Sequence, residues 1–405
     1  MLILHTSDWH IGQKLYGQDR YEEFEHMLDQ MIDIIVEKKV ALLLISGDIF
    51  DVPSPSNRSQ QLYYNFLKRL FNTCCRHTIV TGGNHDSIST LNAPKEVLKM
   101  VNVTTIGGVT EQLSDMIVKV MDADDQHVLN VAAIPYLRDK DVRKSVSGLD
   151  AKDTEKSVKN GLVQFYDTME KLLAEEDKPC IGMGHLFAHG ATTSDSERDI
   201  NIGNLGAVNA NEFPKSFDYT ALGHIHKPQV IGKNEMIRYS GSPLPLSFSE
   251  RKDQKSVVLL KLDNEKLSIE EIILLKSARK LVKFKGAFSE LQEELLNYKS
   301  ISNLVDWAEI EIVEEEHSPQ LRMDFEAFLS DSKFQVEILK YRFSVKRGKG
   351  DTGDFFQQNK LLEDLLPQEV FEKRLSNVPT EEHEEYKASF NELLIEMKEE
   401  KDENQ

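Results

Sequence analysis

Ala41-Leu42-Leu43-Leu44-Ile45-Ser46-Gly47-Asp48-Ile49-Phe50-Asp51 decides the reading of the fold, because five apolar residues run without interruption into a Gly-Asp turn. A run of that length closed by a glycine predicts a short strand, and the turn holds a carboxylate at the strand tip. Four further apolar runs are likewise followed by a Gly, Ser or Asp turn. Leu2-Ile3-Leu4 leads to Asp8-Trp9-His10, and Thr78-Ile79-Val80 to Gly82-Gly83-Asn84-His85-Asp86. Cys180-Ile181-Gly182-Met183 leads to Gly184-His185, and Tyr219-Thr220-Ala221-Leu222 to Gly223-His224-Ile225-His226. Amphipathic stretches lie between them. From Arg20 to Lys38 the residues Phe24, Met27, Leu28, Met31, Ile32 and Ile35 recur at helical spacing, and Gln61 to Phe71 reads the same way. Strands alternating with helices predict a layered α/β domain whose polar clusters line the carboxyl edge of the sheet, where ligands of open α/β sheets bind.

Composition bounds what such a domain does. The chain has 405 residues, too many for one ordinary core. It is 40% apolar and 29% charged, and no apolar run approaches the roughly 18 residues of a membrane span. Met1-Leu2-Ile3-Leu4-His5 turns polar at once, unlike a secretory signal, which predicts a cytoplasmic protein. Cys74 and Cys75 are adjacent and Cys180 is remote, so no disulfide framework is expected and a reducing compartment fits. The net charge of −19 runs against the basic face usual for nucleic-acid binding. Bound divalent cations would supply positive charge locally, and much of the acidity lies in the C-terminal segment, so net charge does not exclude a polyanionic substrate.

Three regions are predicted. Residues 1–276 hold the alternating pattern, with Lys255 to Leu262 as a late strand. Residues 277–345 read as a smaller α+β module: strand (Leu281 to Lys285), helix (Phe288 to Tyr298), strand (Trp307 to Val313), helix (Gln320 to Leu329), strand (Phe334 to Phe343). Residues 346–405 open on the partly basic linker Lys346-Arg347-Gly348-Lys349-Gly350-Asp351-Thr352-Gly353 and continue through an amphipathic stretch, Leu361 to Leu375. They end in the acidic segment Glu381 to Gln405, where Phe390, Leu393, Leu394 and Met397 keep a helical spacing.

Each polar motif taken singly has a plain structural explanation. Asp8-Trp9-His10 fits a surface turn, Asp48 fits a helix N-cap, and His185 alone fits a core histidine. Together they point to metal. Asp8 and His10, like His224 and His226, stand at i and i+2, which an extended backbone turns to one side. Gly82 and Gly83 let the chain turn tightly so that Asn84, His85 and Asp86 crowd into one loop. A phosphodiester repels nucleophiles and hydroxide is scarce at neutral pH. Two divalent ions ~4 Å apart answer both problems, polarising phosphoryl oxygens and activating water. Carboxylate, amide and imidazole donors without thiolate suit a hard or borderline ion such as Mn²⁺, with Zn²⁺ and Fe²⁺ left open.

In order and wording the five motifs resemble the calcineurin-like metallophosphoesterase superfamily, and more closely its SbcD exonuclease family. The resemblance rests on Leu4-His5-Thr6-Ser7-Asp8-Trp9-His10-Ile11-Gly12, Gly83-Asn84-His85-Asp86-Ser87, Ser194-Asp195-Ser196-Glu197-Arg198-Asp199-Ile200, Ala221-Leu222-Gly223-His224-Ile225-His226 and Gly241-Ser242-Pro243-Leu244-Pro245-Leu246-Ser247-Phe248, with Val370-Phe371-Glu372-Lys373-Arg374-Leu375 near the end. It implies a layered β-sandwich core flanked by helices, a smaller α+β capping domain that shapes a DNA groove, and C-terminal helices that dock on a partner ATPase. For the site it implies that Asp8, His10 and His226 hold one metal and Asn84, His185 and His224 the other, with Asp48 bridging them. His85 would bind no metal and instead serve the scissile phosphate. Asp51 sits at a position that varies in the superfamily, and its role stays open; His189 reads as structural. Mn²⁺ is the implied ion. The implied activity is exonuclease action on double-stranded DNA and endonuclease action on single strands or hairpins, in a complex with an SbcC-type ATPase and as a homodimer through helices of the catalytic domain. Two other readings stay open: a small-molecule phosphodiesterase on the same metal site, and an inactive adapter, which predicts missing ligands where none is missing. Lys14, Arg20, Arg58, Arg198, Arg251 and Lys252 are candidate phosphate contacts.

Overall fold

All five apolar runs form strands, but they divide between two sheets. The computed structural model describes residues 1–142, 151–173, 177–197, 207–314 and 319–345. The 346–353 linker, the C-terminal helical stretches, the Val370 to Leu375 element and Arg198-Asp199-Ile200 lie outside the described residues. Strands β1 (Leu2–Thr6), β2 (Leu42–Ser46), β3 (His77–Thr81) and β4 (Val103–Ile106) run parallel in the first sheet. The second sheet holds β5 (Ile117–Met121), β6 (His127–Ala133), β7 (Cys180–His185), β8 (Tyr219–Gly223), β9 (Gln229–Ile231) and β10 (Asn234–Tyr239) in the order β5-β6-β7-β8-β10-β9. The chain then returns to the first sheet. There β11 (Ser256–Asp263) pairs antiparallel with β1, and β12 (Lys266–Leu274) with β11, giving the order β12-β11-β1-β2-β3-β4.

The apolar pattern predicts one sheet edge, whereas β1 to β3 and β7 to β8 present the facing edges of two. Periodicity has no means of telling these apart, because each run is buried on both faces. Leu42 and Leu44 pack toward the second sheet, in one core with Ile3, Val131, Ile181 and Ala221. Their neighbours Leu43 and Ile45 point the other way, against α1 (Tyr21–Lys38) and α2 (Asn57–Phe71), in a second core with Phe24, Met27, Met31, Phe66 and Leu70. A strand alternates its side chains, so burial on both faces requires an unbroken apolar run. Truncating Leu44 to alanine in such a core costs about 2–5 kcal/mol.

The helix ends follow local rules. Helix α2 starts a turn before the predicted Gln61, because its polar first turn carries no apolar signal. Ser56 caps it, its Oγ accepting the Ser59 N–H at 3.1 Å. Helix α1 stops at Lys39 in the left-handed conformation, φ 56°.

Beyond β12, strands β13 (Leu281–Gly286), β14 (Asp306–Glu314) and β15 (Val336–Val345) form a parallel three-stranded sheet. The helices Phe288–Asn297 and Pro319–Asp331 connect them and cover Phe284, Ile310 and Ile312 with Leu291, Leu295 and Phe325. Arg279 ties this module to α1: its Nε lies 3.0 Å from Glu23 Oε2, and its guanidinium lies 3.8 Å above the Trp307 ring. Residues 1–346 make one compact unit, and the second unit, 347–405, falls outside the described residues. No helix among the described residues is long and apolar enough to cross a membrane.

Candidate metal centre

Backbone geometry brings the polar groups together. Asp8, His10 and Asp48 all adopt the left-handed region, with φ of 54°, 47° and 51°. Asp8 and His10 are therefore not side by side on an extended strand, as their spacing predicts. β1 ends at Thr6, and the following loop turns each side chain inward through a left-handed residue. Such residues cost of order 1–3 kcal/mol each and persist where the surroundings hold them, and Asp and His are among the types that tolerate the conformation. Here the holding groups are backbone hydrogen bonds between the two loops: Asp8 N–H to Gly47 O at 3.1 Å, His10 N–H to Asp48 O at 3.0 Å and Ile11 N–H to Ile49 O at 2.9 Å. The buried Asp86 carboxylate joins the third loop, accepting from Gly83 N–H at 2.9 Å and from Ile49 and Phe50 N–H at 3.1 Å.

The glycines of the motifs serve proximity more than turning. Gly83 lacks a positive φ, yet a Cβ there would strike the Asp48 carboxylate and backbone nitrogen. A Cβ at Gly223 would strike the Ser46 carbonyl oxygen from the other sheet. Only glycine lets the loops close to this distance.

Four of the imidazoles, those of His185, His10, His226 and His85, share one arrangement with an oxygen at Nδ1. His185 Nδ1 donates to Ser46 O at 3.0 Å, which turns Nε2 toward Asn84 Oδ1 (2.9 Å) and Asp48 Oδ2 (3.2 Å). His10 Nδ1 lies 3.2 Å from Asp51 Oδ1, and its buried Nε2 makes no hydrogen bond and lies 3.5 Å from Asp48 Oδ2. His226 Nδ1 lies 2.7 Å from Ser196 Oγ and 3.2 Å from Glu250 Oε1. His85 Nδ1 donates to Asp51 O at 2.7 Å, and its ring stands at 87° to that of His10, 4.6 Å between centroids. His224 gives its backbone N–H to Asp8 Oδ1 at 2.8 Å, and its ring lies 5.5 Å from that of His185. Fixing Nδ1 with an oxygen sets the tautomer and presents Nε2 to a cation.

Three sets of ligand atoms each fall within 4.8 Å of one another: Asp8, His10 and His226; Asp8, Asp48 and His185; and His10, Asp51 and His85. Asp8 belongs to two of them. Asp8, His10, Asp48, His85, His185, His224 and His226 are at most 4% exposed, and Asn84 is half-buried. Among the described residues no lysine or arginine pairs with Asp8 or Asp48. Burial pushes the Asp8 carboxyl up. Burial also works upward on Asp48, but the charge and hydrogen bond of His185 outweigh it and hold that carboxyl well below its usual range. Burial works downward on His185, and the Asp48 carboxylate reverses this and lifts it to about 9. Burial, with His185 adding to it, holds His224 well below the usual imidazole range.

Two buried carboxylates that among the described residues accept hydrogen bonds from neutral groups but have no positive charge beside them except protons on imidazoles call for positive charge from outside the chain. A divalent cation supplies it while taking the same Nε2 lone pairs, displacing the protons. The orphaned His10 Nε2 and the nitrogen–oxygen donor set fit such an ion, and the residues form a divalent metal-binding centre.

Comparison with known proteins agrees. A calcineurin-like phosphoesterase model matches residues 1–228, and a model described as the type 5 capsule protein repressor C-terminal domain matches residues 277–378. The chain is 34% identical over 381 residues to the SbcD subunit of nuclease SbcCD from Escherichia coli (strain K12), covering 93% of each. The chain belongs to the SbcD family. The corresponding SbcCD nuclease subunits of Bacillus subtilis (strain 168), 32% identical over 71% of this chain and 73% of that one, and of Rhodobacter capsulatus, 36% identical over 65% and 66%, are further relatives.

Around this SbcD-family centre lie groups that the motifs do not announce. Glu250, 0% exposed, contacts His226, and Glu197 Oε1 accepts the His226 backbone N–H at 2.9 Å. Burial works upward on Glu250, but the His226 hydrogen bond and the Lys255 charge hold it well below the usual carboxylate range. Ser7 Oγ donates to Asp8 Oδ2 at 2.5 Å. Ser196, Glu197, His226 and Glu250 meet only in three dimensions; in sequence the first three lie in SbcD-like stretches, and Glu250 lies outside them. His189 is exposed and belongs to none of the ligand sets, its N–H donating to Val208 O. Arg20 is a correction to the list of phosphate contacts: it is 2% exposed and spent on Glu23, Gln13 Oε1 and Pro245 O. Arg58 stacks on Tyr21, Lys14 pairs with Asp19, Arg251 donates to Phe248 O, Lys252 is exposed, and Arg198 lies outside the described residues.

Proposed function

We propose that this chain is the nuclease subunit of an SbcCD-type complex, hydrolysing DNA phosphodiesters with two Mn²⁺ ions in the cytoplasm. It would act as an exonuclease on duplex ends and an endonuclease on single strands or hairpins, as a homodimer within an assembly containing an SbcC-type ATPase. Asp8, His10 and His226 hold one ion, Asn84, His185 and His224 the other, and Asp48 is shared. The single observation that carries this reading is the position of Asp48 Oδ2, 3.2 Å from His185 Nε2 and 3.5 Å from His10 Nε2, between imidazoles assigned to different ions.

Bound ions supply Lewis acidity toward the phosphoryl oxygens and lower the pKa of water. The chain's own residues do the rest. Asp51 O accepts from His85 Nδ1, so a proton stays on that nitrogen and any exchange with substrate runs through Nε2. His85 therefore protonates the leaving oxygen or stabilises charge beside the phosphate, as a group near the metals that is not a ligand. The 277–345 module, pinned by Arg279, forms one wall of the substrate groove, and the segment after 345 contacts the ATPase. Residues 1–276, 277–345 and 346–405 are the corresponding functional regions.

Purified chain with Mn²⁺ should cleave linear duplex DNA and a generic phosphodiester dye. Hydrolysis of the dye with none of DNA, in the presence of the SbcC-type partner and ATP, would point to a small-molecule phosphodiesterase. Inactivity on both under those conditions would point to an adapter.

A further inference from the structure

Outside the ligand set, the strongest organisation in the molecule is the buried network behind His226. Glu250 is a side chain with no access to solvent and six donors around it. Its Oε1 faces His226 Nδ1 (3.2 Å), Ser194 Oγ (3.0 Å) and Ser196 Oγ. Its Oε2 faces Lys255 Nζ (2.6 Å), Leu246 N–H (3.1 Å) and Ser242 Oγ (3.4 Å). Lys255, itself 3% exposed, also donates to His226 O at 2.9 Å and Ser242 Oγ at 2.9 Å. One carboxylate thus holds the ring of His226 while its ammonium partner holds the backbone of the same residue. We infer that Glu250, with Lys255, is a positioning residue that locks His226 in the tautomer able to bind a cation through Nε2.

The chemistry is in the count of donors. An ionised carboxylate only accepts, so Ser196 gives its one hydroxyl proton to Oε1 and can only accept from His226 Nδ1, 2.7 Å away; Nδ1 therefore carries the proton and Nε2 keeps its lone pair. An amide at position 250 has one accepting and one donating end. Turned toward Lys255 and Leu246, the NH₂ would meet an ammonium and a backbone N–H, neither of which can accept. It therefore turns toward Oε1's place, where Ser196 Oγ accepts from the NH₂ and turns its own proton to His226 Nδ1, which then has to accept, and the imidazole changes tautomer. That change places the proton on Nε2 and removes His226 from the donor set. The inference rests on the reading of His226 as a ligand to one ion, and it predicts an asymmetric loss, since His185 has its own anchor on Ser46 O.

The test uses the full chain, stripped of metal by chelation. Titration with Mn²⁺ by calorimetry should show two ions in the wild type. In Glu250→Gln one of them should weaken tenfold or more, in the range typical of lost outer-shell carboxylates. The other should stay within about twofold. In the metal-free protein, ¹⁵N-histidine NMR should show the His226 signal, assigned by its loss in His226→Ala, as the Nδ1-protonated form in the wild type and the Nε2-protonated form in Glu250→Gln. If Glu250→Gln binds both ions as the wild type does and keeps the Nδ1 tautomer while His226→Ala loses one ion, the inference is overturned and the functional reading stands. If His226→Ala also keeps both ions, the ligand assignment itself fails. Should the single variant not fold by circular dichroism, Glu250→Ala/Lys255→Met, which leaves no uncompensated buried ammonium and no group at 250 to hold the His226 ring, is titrated in the same way: one ion weakened tenfold or more supports the inference, and two ions bound as in the wild type overturn it.

Discussion

His85 and Asp48 are neighbours whose replacement should have opposite signatures. His85 meets Asp48 through its backbone, its N–H donating to Asp48 Oδ1 at 2.9 Å. His85→Ala keeps that bond, so the shared carboxylate stays aimed and two ions per chain should remain. What disappears is the ring whose Nδ1 rests on Asp51 O and whose Nε2 is proposed to serve the substrate. A positioned proton donor contributes 10²- to 10⁴-fold, so cleavage of linear duplex DNA should fall by about 3–5 kcal/mol of barrier. Asp48→Ala removes an acceptor that stands within 3.5 Å of both His10 Nε2 and His185 Nε2. It also removes the carboxylate oxygen that accepts the His85 N–H. Elemental analysis after gel filtration, alongside the cleavage assay, should find both ions depleted in Asp48→Ala and neither in His85→Ala. Metal loss in His85→Ala would refute the separation of roles.

Other consequences are open to measurement. Gly83→Ala puts a methyl group against the Asp48 carboxylate and should weaken Mn²⁺ at least tenfold by calorimetry; Gly17→Ala, which meets nothing within 4 Å but sits at φ 83°, should cost about 1 kcal/mol of stability and leave metal affinity unchanged. Each site filled by Mn²⁺ at 100 times its Kd should stabilise the fold by about 2.7 kcal/mol, read as a rise in Tm that EDTA reverses; an unchanged Tm would contradict metal binding by the native state. Burial works upward on Glu311, but Arg342 and Lys285, both 2.9 Å away, hold its carboxyl at about 2, against 4.5 when unfolded. Its contribution to stability is therefore complete above pH 4.5 and lost as pH falls toward 2, so the Tm deficit of Glu311→Gln should be full at pH 7 and shrink across that window.

The strands were legible because burial on both faces demands unbroken apolar runs, and the polar clusters that the fold gathers were legible because each run gives way to a Gly, Ser or Asp turn. Assignment of strands to sheets was not legible: Leu43 and Ile181 carry the same local signal and lie in different sheets. Nor was the left-handed backbone at Asp8 and His10, which tertiary hydrogen bonds impose on a stretch whose spacing suggests a strand. Gly83 and Gly223 stood out as turn residues, yet the reason for them is an approach between segments distant in the chain. Glu250 and Ser196 carried no local signal, since their meaning comes from a histidine they touch only after folding.

The strand order has a bearing on how this protein is made and cut. β1 lies between β2 and β11, its Leu2 to His5 paired with Lys261 to Val258, so the first strand synthesised waits for nearly the last strand of its sheet. A chain ended at 228, where the phosphoesterase match stops, would carry every proposed ligand but leave β1 with a bare edge. It would also take Val257 and Leu259 from one core and Val258 and Leu260 from the other. A catalytic fragment meant to stand alone therefore has to run through Leu274, and a nascent chain holds a complete donor set before it holds the sheet that keeps it in place.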